Sequence, residues 1–248
     1  MKKNTLFFLL FTISAFAVIP SMYRVINTKN TDLEKNNSLQ YFDANDLYAE
    51  DFEGVHNWVF VNGAQTNKWF VGTAVNNGGT KSLYISDNNG AANQYDTTGA
   101  SITHAYKDIV IPANTADVEL SFDWRSVGDE WSDYLNVWLI PTSFTPGPGA
   151  QIFAGGDRIQ IGGSFNGQAT WTNYSTVVDI SAYAGQTMRL VFQWTNAGWA
   201  GAQTPSAIDN IVLSPVTCSS PSDIEAQNIT TDEAEVSWTA PGTTNVAS

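Results

Sequence analysis

Apolar and polar residues alternate one by one through Val118, Glu119, Leu120, Ser121, Phe122, Asp123 and Trp124. A period of two puts Val118, Leu120, Phe122 and Trp124 on one face of an extended strand and the polar residues on the other, which is the pattern of a half-buried sheet. Met188, Leu190, Phe192 and Trp194 repeat it. Tyr134 to Ile140 is nearly continuous in apolar residues and predicts a central strand; Thr170 to Ile180 and Ser206 to Leu213 add two more. From Trp58 onward no stretch sustains a 3.6-residue period. Turns are equally legible: Asn76-Asn77-Gly78-Gly79 and Asp87-Asn88-Asn89-Gly90 tolerate positive φ, and Pro146-Gly147-Pro148-Gly149 cannot lie inside a strand. The expected fold is all-β, a jelly-roll sandwich of two antiparallel sheets with about eight to ten strands. With 43% hydrophobic and 12% aromatic residues, the chain has enough apolar surface to fill its core.

The ends have a different texture. Lys2 and Lys3, the apolar run Leu6 to Phe16 and the small-residue pattern Ala15-Phe16-Ala17 predict a signal peptide over residues 1–17. The run falls short of the ~20 apolar residues of a spanning helix, so no membrane insertion is expected after cleavage. Residues 18–48, rich in Asn, Lys, Thr and Asp, read as a polar linker. Cys218 is the only cysteine, which excludes an internal disulfide framework and leaves a thiol for pairing beyond residue 248. A formal net charge of -13 argues against nucleic-acid partners.

Two acidic motifs bracket the β-patterned stretch: Glu50-Asp51-Phe52-Glu53-Gly54 opens it and Ala207-Ile208-Asp209-Asn210-Ile211 closes it. On adjacent first and last strands Glu53 and Asp209 would face one another, and like charges that close call for a cation. Asp51 would point to the opposite face of an extended strand. With these motifs, residues 49–215 resemble the secreted jelly-roll modules called choice-of-anchor J, cleaved-adhesin or MAM-like domains. Asp179-Ile180-Ser181-Ala182-Tyr183-Ala184-Gly185 resembles the short turn those modules carry before a late strand. Val55-His56-Asn57-Trp58 departs from the Gly-Trp pair that often follows their opening motif. The resemblance implies a structural calcium ion at Glu53 and Asp209, with Asp87 as a third contributor; calcium takes about six to eight hard oxygen ligands. Residues 216–248, with Trp238 in Glu235-Val236-Ser237-Trp238-Thr239, resemble strands A and B of a fibronectin type III domain. Such a sandwich needs about 100 residues, so a longer parent chain with further domains is expected.

A second constellation is Gly128-Asp129-Glu130-Trp131-Ser132-Asp133-Tyr134, between two strands. Asp129, Glu130 and Trp131 are candidate ligand-binding residues, because carboxylates accept from sugar hydroxyls while an indole stacks on a pyranose face. Trp131 can equally close the end of the sandwich. Trp199 lies among small residues that cannot bury it and is the fourth candidate. Catalytic residues are not expected. His56 and His104 lack metal-ligand spacing, Ser164 lacks the second glycine of a nucleophile elbow, and no spacing in sequence shows the ~5–9 Å separation of a glycosidase carboxylate pair. The resemblance implies a non-catalytic extracellular recognition module for a glycan or protein. The alternative is an accessory domain of a secreted peptidase or glycoside hydrolase.

Overall fold

A computed structural model describes residues 45–129, 131–216, 222–227 and 235–239. The expected signal peptide, most of the polar linker, Glu130 and Cys218 lie outside the described residues. The strands are β1 (Tyr48–Glu50), β2 (Val59–Val61), β3 (Lys68–Gly72), β4 (Ser82–Ser86), β5 (Ser101–Val110), β6 (Asp117–Ser126), β7 (Asp133–Pro141), β8 (Ile159–Phe165), β9 (Gln168–Asp179), β10 (Thr187–Asn196) and β11 (Ala207–Pro215), followed by β12 (Ser222–Gln227) and β13 (Glu235–Thr239). They form a six-stranded sheet in the order β3-β4-β11-β6-β9, with β1 also on β11, and a five-stranded sheet in the order β2-β5-β10-β7-β8. This is the expected two-sheet antiparallel sandwich, with one strand more than the upper expectation. β12 and β13 pair antiparallel as a separate two-stranded sheet.

The alternating residues face as their period dictates. Val118, Leu120 and Phe122 of β6 and Met188, Leu190, Phe192 and Trp194 of β10 are buried in one core between the sheets. Aromatic rings run through it in sequence: Phe52 to Trp58 at 6.1 Å, Trp58 to Phe192 at 5.6 Å, Phe192 to Phe122 at 5.4 Å and Phe122 to Phe165 at 5.6 Å. These are the tilted and edge-on separations that aromatic pairs prefer. Phe52 of the opening motif enters this core at a positive φ of 59°. The predicted turn before the late strand is a short 3-10 helix, Ser181–Tyr183.

β10 departs from its expected half-buried state. Its outward residues Arg189, Val191, Gln193 and Thr195 are buried as well, because residues 142–158, between β7 and β8, cross the outside of the five-stranded sheet as a strap. Phe144 and Ile152 of the strap pack on Trp138, Ile140, Val191 and Tyr106. Arg189 Nη1 donates to the Phe144 carbonyl at 3.0 Å, and its guanidinium also holds Asp108 and lies over the Tyr106 ring. Farther along, the Gly149 amide donates to the Ile102 carbonyl on β5, and Pro148 packs against Gly63, where a Cβ would not fit. On the way back the Ile152 amide donates to Gln193 Oε1. The strap thus crosses from β7 over β10 and β5 to the turn after β2.

Candidate functional site

The bracketing carboxylates meet one loop. β11 pairs with β4 at Ala207 and Ile208 and with β1 from Ile211 to Leu213, so Asp209 and Asn210 lie where the strand changes partner. A register shift against β6 falls there, and Asn210 takes a φ of 51°. The turn between β3 and β4 fills that seam. Asp209 Oδ2 accepts the Asn77 amide at 2.8 Å, Asn210 Nδ2 donates to the Asn77 carbonyl, and Asp123 Oδ2 accepts from both Asn77 and Asn210. From the other side Glu53 Oε1 accepts the Thr80 and Lys81 amides at 2.7 and 2.8 Å, and Oε2 accepts the Thr80 hydroxyl.

The two environments pull their carboxyls in opposite directions. Partial burial alone would raise Glu53, but the hydrogen bonds from Thr80 and Lys81 outweigh it and hold the group below its ordinary value. Asp209 is 1% exposed. Burial lifts its pKa to about 7, against the Asn77 and Asn210 amides, with Asp123 and Glu53 adding negative charge. Asp87 does not join them. It sits past the opposite end of β4, where Oδ1 accepts from Gln94 Nε2 and its amide donates to the Gln94 carbonyl. The five residues of β4 separate it from the loop that Glu53 holds, so the predicted third contributor is misplaced. Among the described residues no group of three or more His, Cys, Asp or Glu side chains is arranged to hold a metal ion. Each Asp209 oxygen accepts one amide and keeps a second lone pair; a calcium ion there would draw its other ligands from carbonyls and water.

The other candidate residues gather at the end of the five-stranded sheet where β5 and β7 begin and β10 ends. Asp133 opens β7 opposite Asn196, the last residue of β10. Its carboxylate is fully buried: Oδ2 accepts the Tyr95 hydroxyl at 2.6 Å and Oδ1 accepts the Ala197 amide at 3.1 Å. Burial, then the bond to Asp133, pushes the Tyr95 hydroxyl pKa up. The loops before β7 and after β10 are therefore tied at one carboxylate. Asp129 Oδ1 braces the first loop from within by accepting from the Trp131 amide and the Ser132 hydroxyl. The rings those loops carry are free of packing: Trp131 is 83% exposed and Trp199 is 77% exposed. Gly198, at a φ of 77°, backs onto Ala100 too closely for any Cβ, which seats the Trp199 loop against the start of β5.

Between the end of β10, the start of β5 and the strap lies a cleft of about 270 Å³, lined by Gln65, Ser101, Gln151, Thr195 and Asn196 together with Ala100, Ile102, Gly149 and Ala197. Asn196 is 1% exposed. Its Oδ1 accepts from Asn67 Nδ2 at 3.0 Å, while its own Nδ2 has no hydrogen-bond partner among the described residues. An unpaired buried donor costs about 1–3 kcal/mol, and this one is closed off from solvent behind the cleft. Sequence reasoning singled out Trp131 among its carboxylates and Trp199 among its small neighbours, and both rings are exposed. It missed Gln65, Gln151, Asn196 and Tyr95, which carry no local motif, and Asn67 and Asn196 are 129 positions apart.

No family model matches the chain, and no curated protein matches it, so the resemblance to choice-of-anchor J modules rests on the two bracketing motifs. Among solved structures the chain is similar to the CBM22-2 xylan-binding domain from Paenibacillus barcinonensis Xyn10C, with 14% sequence identity and a TM-score of 0.42 over 68% of this chain and 99% of that one. It is similar to TmCBM61 in complex with β-1,4-galactotriose, with 9% identity and a TM-score of 0.36 over 64% of this chain and 88% of that one. It is also similar to part of the enzymatically active domain of tailspike protein 4 from bacteriophage CBA120, with 14% identity and a TM-score of 0.43 over 67% of this chain. There the match spans 20% of the tailspike chain.

Proposed function

We propose that the chain is a non-catalytic carbohydrate-recognition module of a secreted or cell-surface protein, with a glycan seated at the Asn196 cleft and against Trp131 and Trp199. The observation that carries this reading is the pair of exposed rings, at 83% and 77%, on two loops tied through Asp133, at the same sheet end as a cleft lined by amides and hydroxyls. An indole face is large, rigid and apolar, and covering it is favourable. The C–H face of a pyranose is a flat partner for it, while the amides and hydroxyls of the cleft match sugar hydroxyls. The carboxylates nearby serve the scaffold: Asp133 holds Tyr95 and Ala197, and Asp129 holds its own loop.

Isothermal titration of the full chain against xylan, β-1,4-galactan and cello-oligosaccharides tests the reading. Binding to at least one is expected, with Trp131→Ala and Trp199→Ala each weakening it about tenfold or more and leaving the unfolding midpoint unchanged. Full affinity in the double variant would sink the assignment. Capture of a protein ligand with no glycan bound would turn the same rings into a protein-docking surface.

The proposal includes a structural calcium ion at Glu53 and Asp209. Its support is the buried Asp209 carboxylate, whose repulsion from Asp123 and Glu53 a cation would relieve. Calcium should raise the unfolding midpoint relative to chelator, by mass action, and the rise should vanish in Asp209→Ala. Equal midpoints with calcium and chelator would leave the amide hydrogen bonds as the whole role of the bracket.

A further inference from the structure

We infer that the cleft reads the end of a neutral glycan chain and not its interior, an inference that rests on the carbohydrate reading above. Three observations converge on it. The first is the strap. A long polysaccharide lying across the five-stranded sheet would need its outer face, but residues 142–158 cover that face from β7 to the turn after β2, with Phe144 and Ile152 packed on Trp138, Ile140 and Val191. Gly149 and Gln151 of the strap then form one wall of the cleft, and Gln151 Nε2 is fixed by donating to the Tyr134 hydroxyl at 3.1 Å. A chain entering from the loop end meets that wall.

The second is size. About 270 Å³ is below the ~300–1,000 Å³ of sites that enclose drug-sized ligands, which is room for a terminal sugar or two. The third is charge. Among the described residues that line the cleft none is ionised, and its side-chain polar groups are amides and hydroxyls. Asp133, whose Oδ1 accepts the amide of the lining residue Ala197, is a carboxylate at the cleft's edge, so a uronate would find repulsion and no cation. Amides and hydroxyls such as those of Gln65, Gln151 and Thr195 match uncharged partners, a sugar hydroxyl or ring oxygen.

The test titrates the full chain with xylo-, cello- and β-1,4-galacto-oligosaccharides of two, three and six residues, and with oligogalacturonides. For the series that binds, affinity should change less than about threefold between trimer and hexamer. Chemical blocking of one terminus of the trimer, by reduction of its reducing end or methylation at its non-reducing end, should abolish binding. Gln65→Ala should weaken it about tenfold with the Trp131 and Trp199 contribution retained, and oligogalacturonides should not bind. Affinity that rises about tenfold or more from trimer to hexamer, indifference to blocking at both ends, or preference for the galacturonides would overturn end recognition while leaving carbohydrate binding in place. Binding to none of the four series would remove both.

Discussion

On β6 the outward side chains Glu119, Ser121 and Asp123 stand in or near solvent, whereas on β10 the outward Arg189, Val191, Gln193 and Thr195 are all buried. Both strands carry the same inward alternation and both sit inside their sheets. The difference lies in what crosses them. The six-stranded sheet turns its outer face to water and confines its buried chemistry to the seam at Asp209. The outer face of the five-stranded sheet is covered by a strap from β7 to the turn after β2, and the exposed tryptophans stand at the sheet's end. Covering a face with a loop makes a two-layer sandwich locally three layers deep, and it converts an open surface into a closed wall for the cleft beside it.

The sharpest way to break this comparison is to empty the strap's underside. Trp138 is buried beneath it, and Trp138→Ala should cost about 3–5 kcal/mol in urea unfolding. If the cost proves no larger than for a surface residue, the strap is not packed as described.

Acidity should separate the two faces next. His104 is buried under the strap with neither ring nitrogen hydrogen-bonded among the described residues, and burial pushes its pKa to about 4. Since the unfolded chain holds the His104 proton up to about 6.5, this residue makes stability fall as pH drops from 6.5 towards 4. Asp209 acts with the opposite sign. In chelator, with no calcium bound, the folded protein keeps its proton up to about 7 where the unfolded chain gives it up near 3.8, so stability falls as pH rises through that window. Each slope is at most about 1.4 kcal/mol per pH unit, and between pH 4 and 6.5 they oppose each other. Asp209→Asn should therefore leave stability that rises with pH, and His104→Gln stability that falls with it, in denaturant titrations across that range. Superimposable profiles for the two variants would contradict the assignment. The smallest effect is expected on the open face, where Ser121→Ala should stay within about 0.5 kcal/mol of wild type; a loss comparable to that of Trp138→Ala would mean that this face too is covered.

The strands were readable because their cause is local. Val118 to Trp124, Met188 to Trp194 and Tyr134 to Ile140 all fall inside strands, since a period of two needs no partner to be seen. The bracket was half readable. Glu53 and Asp209 do converge, on opposite sides of one turn, but Asp87 reads as a neighbour only if the direction of β4 is unknown. Trp199 was readable as exposed because small neighbours offer an indole nothing to pack on, whereas Trp131 could equally have closed the end of the sandwich, and its exposure came from the structure.

By itself the sequence determined the all-β class, five of the strands with several turns, and the paired acidic motifs, because backbone preference and hydrophobic alternation act over a few residues at a time. Only the tertiary structure decided that Pro146-Gly147-Pro148-Gly149 belongs to a strap across a sheet, that Asp133 ties two loops at one carboxylate, and that Asn196 keeps one unpaired donor behind a cleft. Those facts depend on groups brought together from distant positions, such as Asn67 with Asn196 or Arg189 with Phe144. Their energy appears only when the whole sandwich closes and water is excluded from between them.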